Sequence, residues 1–119
     1  MARHIDIGQR GEAIARAYLE QKGYKILAAN WRYRRAEVDL IAMDGPILVF
    51  VEVKTRSNDA YGDPEEGITA RKEQMLTSAA HAYIEQTGHE DEIRFDIISV
   101  LYLDEQSYSV RHLEDAFFR

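Results

Sequence analysis

Glu52 and Lys54 stand two residues apart inside Ile47-Leu-Val-Phe-Val-Glu52-Val-Lys54-Thr-Arg56. The rest of this run is apolar and rich in β-branched residues, the pattern of a buried central strand. Strand alternation places both charged residues on the face of Leu48 and Phe50, roughly 6 to 7 Å apart, and gives Val49, Val51 and Val53 the other face. Desolvating an ion costs on the order of several kcal/mol, against a total domain stability of roughly 5 to 15 kcal/mol. A charged pair in such a strand therefore calls for a function.

Asp39 lies thirteen residues upstream of Glu52, in a second strand-like run, Ala36-Glu37-Val-Asp39-Leu-Ile-Ala-Met43, joined to the first through Asp44-Gly45-Pro46. So short a connection makes an antiparallel hairpin, and the pairing register then decides which face Asp39 takes. A two-residue Asp44-Gly45 loop pairs Met43 with Pro46, Asp39 with Phe50 and Glu37 with Glu52. All three carboxylates then join Lys54 on one face. A three-residue loop pairs Asp39 with Val51 and separates it from Glu52.

Carboxylates gathered with an ammonium at one end of a sheet suit a hard cation, Mg²⁺ or Mn²⁺, which binds oxygen ligands and keeps waters for a substrate phosphate. Such an ion polarises a phosphoryl oxygen and lowers the pKa of a bound water, so hydrolysis of a phosphodiester is the natural reaction. Lys54 would orient or activate that water. The plain alternative is a structural Glu52–Lys54 ion pair with Asp39 in solvent. Either element alone is more often structural, but their combination favours chemistry.

Asp39 followed by Glu52-Val-Lys54 on the next strand resembles the PD-(D/E)xK nuclease signature. Across nearly its whole length the chain is similar to the bacterial family typified by YraN. The matching residues are Gly8, Gly11-Glu12, Ala15, Tyr18-Leu19, Gly23-Tyr24, Asn30, Arg32, Glu37-Val-Asp39-Leu-Ile-Ala, Phe50-Val-Glu-Val-Lys-Thr-Arg56, Gly62, Lys72 and Phe95-Asp96. The resemblance implies a restriction endonuclease-like α/β fold related to Holliday junction resolvases. It also implies metal-dependent endonuclease activity on DNA, with branched or structured DNA as the favoured substrate. Asp39 and Glu52 would be the metal carboxylates, the Val53 carbonyl a further ligand, and Lys54 the residue serving the water. Glu12 is the fourth catalytic candidate. It borders the helical arc of Ile7, Ile14, Ala15, Tyr18 and Leu19, where it either reaches the site or acts as a first-turn acid favoured by the helix dipole. Ala36 stands where the family has glycine, which predicts a changed turn into the strand.

The elements that must hold these residues follow an αβββαββ order, a mixed sheet with flanking helices in one domain spanning residues 1–119. The spacing predicts a helix from Ile7 to Lys22 stopped by Gly23, then strands over Tyr24–Trp31, Glu37–Met43 and Ile47–Thr55. A polar loop, Arg56 to Gly67, precedes a second helix from near Thr69 to near Gly88, which carries Ile68, Met75, Leu76, Ala79 and Tyr83 on one side. Strands over Ile93–Leu103 and Tyr108–Leu113 complete the chain.

Basic residues supply a candidate nucleic-acid footprint. Asn30-Trp31-Arg32-Tyr33-Arg34-Arg35 interleaves guanidinium groups with aromatics, and Arg56 closes the Glu52 strand. Arg32, Arg34, Arg35 and Arg56 could neutralise phosphates while Trp31 or Tyr33 stacks on an unpaired base. The same tract also reads as a solvated turn with Trp31 in the core. Lys72 interrupts the apolar stripe of the second helix, and its head either snorkels at the core's edge or faces substrate phosphate.

Composition sets the limits. Fifteen Lys plus Arg against 21 Asp plus Glu leave a net charge of −6, which opposes tight nonspecific binding to DNA. A bound cation would reverse the local sign at the carboxylates. The competing reading is a noncatalytic nucleic-acid-binding or protein-interaction module on the same fold. The chain has no cysteine, which excludes disulfides, thiol nucleophiles and cysteine-based zinc sites. Its four histidines are scattered, no glycine-rich phosphate loop is present, and neither a spanning segment nor a signal peptide is apparent. A cytoplasmic protein, not associated with membranes, is expected. A homodimer would suit a two-fold DNA junction.

Overall fold

In the computed structural model, which describes residues 7–57 and 69–117, the order is α1 (Ile7–Gln21), β1 (Lys25–Tyr33), β2 (Ala36–Asp44), β3 (Ile47–Arg56), α2 (Ala70–Thr87), β4 (Ile93–Asp104) and β5 (Ser107–Leu113). This is the αβββαββ sequence of elements expected, with boundaries shifted by one or two residues. Most of the Arg56–Gly67 loop, with Gly62, and the apolar Ile68 fall outside the described residues. The strands form one sheet in the order β1-β2-β3-β4-β5. Only β3 and β4 run parallel, and α2 makes the crossover between them, as a parallel pair requires. A mixed sheet between two helices is consistent with a restriction endonuclease-like α/β fold.

Two apolar layers follow from the alternation along β3. Leu48 and Phe50 pack with Leu76, Ala79 and Ala80 of α2, while Val49 and Val51 pack with Ala15 and Leu19 of α1. Ile7, expected in the apolar arc of α1, is 42% exposed. Helix α1 lies so close to β3 that a Cβ on Gly11 would stand 1.8 Å from Thr55 Oγ1, so no side chain fits there. Helix α2 is capped at both ends. The Thr69 hydroxyl accepts from the Lys72 N–H, and Gly88, at φ +73°, closes the last turn onto Ile84 O, the left-handed stop that glycine permits.

The β2–β3 register corrects the sequence expectation. Asp44 pairs with Ile47, Met43 with Leu48, Ile41 with Phe50 and Leu40 with Val51, so the loop is Gly45-Pro46 rather than Asp44-Gly45. The reason lies in the proline. In the expected loop Pro46 would join the closing pair, where its missing N–H removes a ladder bond. Gly45 at φ +60° followed by the fixed negative φ of proline instead gives a type II′ turn, whose twist suits the strands. The register slides by two residues. Faces are preserved, but the partners opposite Glu52 change.

The sheet is tied together at the Arg94 level by a buried polar clasp. Asp96 is fully buried and accepts from Arg94 Nε at 2.9 Å and from the Asp115 N–H at 3.0 Å, with His112 Nε2 at 2.8 Å. The Lys22 ammonium lies 3.0 Å from His112 Nδ1. An ammonium can only donate, so the imidazole carries its proton on Nε2 and donates it to Asp96. Arg94 also donates to Asp44 and to the Tyr24 hydroxyl. Burial alone would raise the Asp96 carboxyl, but the bonds from His112, Arg94 and Asp115 outweigh it and hold the group below its ordinary range.

Two stability outcomes follow. Asp96→Asn leaves the Arg94 charge short of its buried partner and lowers unfolding free energy in urea by about 3 to 5 kcal/mol. Gly11→Ala pushes α1 off Thr55 and costs about 1 to 3 kcal/mol by overpacking, measured the same way.

Candidate active site

Glu52 sits on the α2 face of β3, where its side chain is only 7% exposed. Its Oε2 pairs with Lys72 Nζ at 3.3 Å, and Oε1 is buried without a hydrogen-bond partner among the described residues. Lys72 reaches across from the first turn of α2, so its head is neither simply snorkelled nor directed away from the sheet. It docks on the site, with 41% of its side chain still exposed. Lys54, two residues further along the same face of β3, acts on Glu52 through its charge.

Asp39 approaches from β2. Extending the β2–β3 register one step beyond Leu40↔Val51 brings it opposite Glu52, where the sequence reading had placed Glu37. Continued further, an antiparallel ladder would give the Val53 N–H to the carbonyl of Val38. Instead Asp39 Oδ2 takes that N–H at 2.8 Å, so a side chain completes the ladder and the carboxylate is anchored by main chain.

The two acids are coupled. Burial first, then the charge of Asp39, pushes the Glu52 carboxyl up to about 7, against smaller lowering by Lys72 and Lys54. Burial likewise raises Asp39, opposed by the Val53 N–H and Lys72 and reinforced by Glu37. The charge of Asp39 opposes ionisation of Glu52, so one proton held by the pair relieves the repulsion when no cation does.

Glu12 and Glu37 form a separate group around Asn30. In the amide orientation that satisfies both, the Asn30 nitrogen donates to Glu12 Oε1 at 3.2 Å and to Glu37 Oε2 at 3.3 Å. The expected trio of Glu37, Asp39 and Glu52 therefore reduces to a pair, with Glu37 also facing Arg32 at 3.8 Å. Among the described residues no group of three or more His, Cys, Asp or Glu side chains is gathered to hold a metal. The first-turn reading of Glu12 fails, since α1 has no acid in its first turn and the dipole acts only there.

The basic tract folds as the β1–β2 hairpin, because β1 runs two residues beyond its expected end, to Tyr33. Arg34 occupies the turn at φ +57°, its guanidinium 5.2 Å from the Tyr33 ring centroid. Arg34 and Arg35 line a recess with Met75 and Ser78, one helical turn from Lys72. Arg32 is well exposed. Trp31 is not a stacking surface: it packs against the α2-face core and meets Tyr83 edge-on at 5.2 Å. Arg56 ends β3, beyond Lys54. Of the residues around the site, Asn30 carried no chemical signal in the sequence beyond its type and its place in the family pattern. In the clasp on the other face, Arg94 stood out only as a cation in an apolar strand, and His112, in the polar strand β5, did not stand out at all.

The profile of the uncharacterised protein family UPF0102 matches residues 11–100, a span that takes in Glu12, Asn30, Asp39, Glu52, Lys54 and Lys72. The chain belongs to UPF0102. It is 43% identical to a UPF0102 protein of Flavobacterium psychrophilum, over 99% of this chain and 98% of the relative. It is 44% identical to a UPF0102 protein of Chlorobaculum parvum, over 93% and 91%, and 42% identical to one of Porphyromonas gingivalis, over 98% and 87%. The UPF0102 chain thus matches these relatives nearly end to end. No helix among its described residues is long and apolar enough to cross a membrane.

The raised Glu52 carboxyl has a measurable sign. A carboxyl whose folded pKa lies near 7, against about 4.3 unfolded, stabilises the fold when protonated, and that contribution disappears as pH rises through the interval. Without divalent metal, the unfolding free energy of the native chain should fall by up to about 3 kcal/mol between pH 4.5 and 7.5 from this group. Urea titrations of Glu52→Gln should lack that component.

Proposed function

We propose that this UPF0102 protein is a metal-dependent endonuclease of the PD-(D/E)xK kind that hydrolyses DNA phosphodiester bonds. The observation that carries the reading is the unpartnered, buried Glu52 Oε1 beside an Asp39 already anchored on the Val53 N–H. Two carboxylates brought together, one buried and one half-buried, with both pKa values raised, suit a divalent cation better than solvent or a structural role. Asp39 and Glu52 would hold Mg²⁺ or Mn²⁺, with the Val53 carbonyl as a further oxygen. The ion would supply a polarised phosphoryl oxygen and a water of lowered pKa.

The remaining roles belong to the chain itself. Lys54 orients the attacking water on the Glu52 face. Lys72 neutralises Glu52 and, being half exposed at the rim, faces the substrate phosphate. Arg34, Arg35 and Arg56 neutralise neighbouring phosphates, and Arg32 does so in exchange for its contact with Glu37. Glu12 belongs to the surrounding layer through Asn30. Branched DNA as substrate, a homodimer matched to a junction and a place in the cytoplasm rest on the resemblance to resolvases, which is analogy rather than site chemistry.

The test is cleavage of a labelled four-way junction and a linear duplex by the native chain, Asp39→Asn and Lys54→Ala in Mg²⁺ or Mn²⁺, with metal affinity measured by calorimetry. Each variant should fold and lose at least about 100-fold in rate, and Asp39→Asn should also lose metal binding. A folded native chain that binds metal and DNA but leaves both substrates intact is a noncatalytic module. One that binds neither overturns the site altogether.

A further inference from the structure

We propose that Asn30 is the positioning residue of this site, because its left-handed backbone turns Asp39 out of the alternation of β2 and towards β3. The inference rests on the Asp39–Glu52 reading and names what aims the first of those acids.

Asn30 lies directly opposite Asp39. The flanking pairs are Ala29↔Leu40 and Trp31↔Val38, which leave these two facing each other across β1 and β2. Its φ is +52° although it stands inside a strand rather than in a turn. Asparagine tolerates this region, whereas a branched side chain is strained there.

The packing records what that conformation does. On β2, Val38 and Ile41 both belong to the α2-face core, while Leu40 belongs to the α1-face core. On β1, Ala28 and Trp31 both pack on the α2 side. Residues three apart on a regular strand take opposite faces, so both strands change face at this step, β1 at Asn30 and β2 at Asp39, apart from the bulge nearer the start of β1 between Ile26 and Ala28. The two changes are in register and compensate each other, which keeps the β1–β2 ladder paired on both sides of the step.

The consequence reaches β3. A residue caught in the change of face points along the sheet rather than above or below it, and Asp39 accordingly meets the Val53 N–H in place of a main-chain carbonyl. The Asn30 amide, bridging Glu12 and Glu37, holds those acids on the β1 side. Glycine at position 30 would keep the backbone and lose the amide. Valine would lose both.

The experiment compares the full native chain with Asn30→Gly, Asn30→Val and Asp39→Ala. It reads amide hydrogen exchange at Val53, Mn²⁺ affinity by calorimetry and thermal unfolding. Asn30→Gly should keep Val53 protected and bind Mn²⁺ as the native chain does. Asn30→Val should fold, lose Val53 protection as Asp39→Ala does, and weaken Mn²⁺ binding by about 10-fold or more, the usual effect of misplacing a supported ligand. If Asn30→Val does not fold, Asn30→Ala replaces it with the same loss expected. Retained Val53 protection in a folded Val or Ala variant overturns the proposal, as does its loss in Asn30→Gly. Should the native chain bind no Mn²⁺, the metal reading fails, and Val53 exchange still decides the role of Asn30.

Discussion

The carboxylate of Asp39 accepting the Val53 N–H is the contact on which the site depends. Without it, a half-buried main-chain N–H of β3 would lose its partner, and an acid on β2 would have no reason to hold one direction. With it, the ladder between β2 and β3 is completed by a side chain, and the same carboxyl stands against Glu52. The structural demand of satisfying a half-buried main-chain N–H and the chemical arrangement of two acids are met by one interaction.

Everything around this contact manages charge in a dry place. Lys72 and Lys54 lower the cost of ionised Glu52, the Val53 N–H lowers that of Asp39, and burial works against both. The balance leaves Glu52 near 7, where it changes charge within reach of neutral pH. The Arg94–Asp96–His112 clasp makes an instructive contrast. There a buried carboxylate is fully supplied with donors and held ionised, so nothing remains to be bound. Both clusters lie in the same sheet on opposite faces, and the difference is whether every oxygen has a partner.

The family assignment and the site bear on each other. The region matched by the UPF0102 profile, residues 11–100, contains both acids, both lysines, the Gly11 approach of α1 to β3 and the Asn30 step. It stops short of the β5 residues that complete the clasp. A chain with net charge −6 can still gather positive charge locally, since Arg34 and Arg35 line a recess against Met75 and Ser78 of α2 and Lys72 stands in the first turn of the same helix.

The element order and the two-faced character of β3 were legible in the letters, because burial imposes a period of two on strands and of about 3.6 on helices. The face shared by Glu52 and Lys54 was legible too, but the step out of alternation at Asp39 was not, and the expected β2–β3 register differs from the true one by two residues. A slip of two is invisible to a pattern of period two, and it was the absent N–H of Pro46 that decided between the loops. Only the folded chain revealed which acid stands opposite Glu52, why Glu37 and Glu12 gather at Asn30 instead, and that Lys72 crosses from α2 to the sheet. These are matters of direction between segments far apart in sequence. They are fixed by a left-handed residue in one strand and a main-chain donor in another, and composition and spacing carry no trace of either.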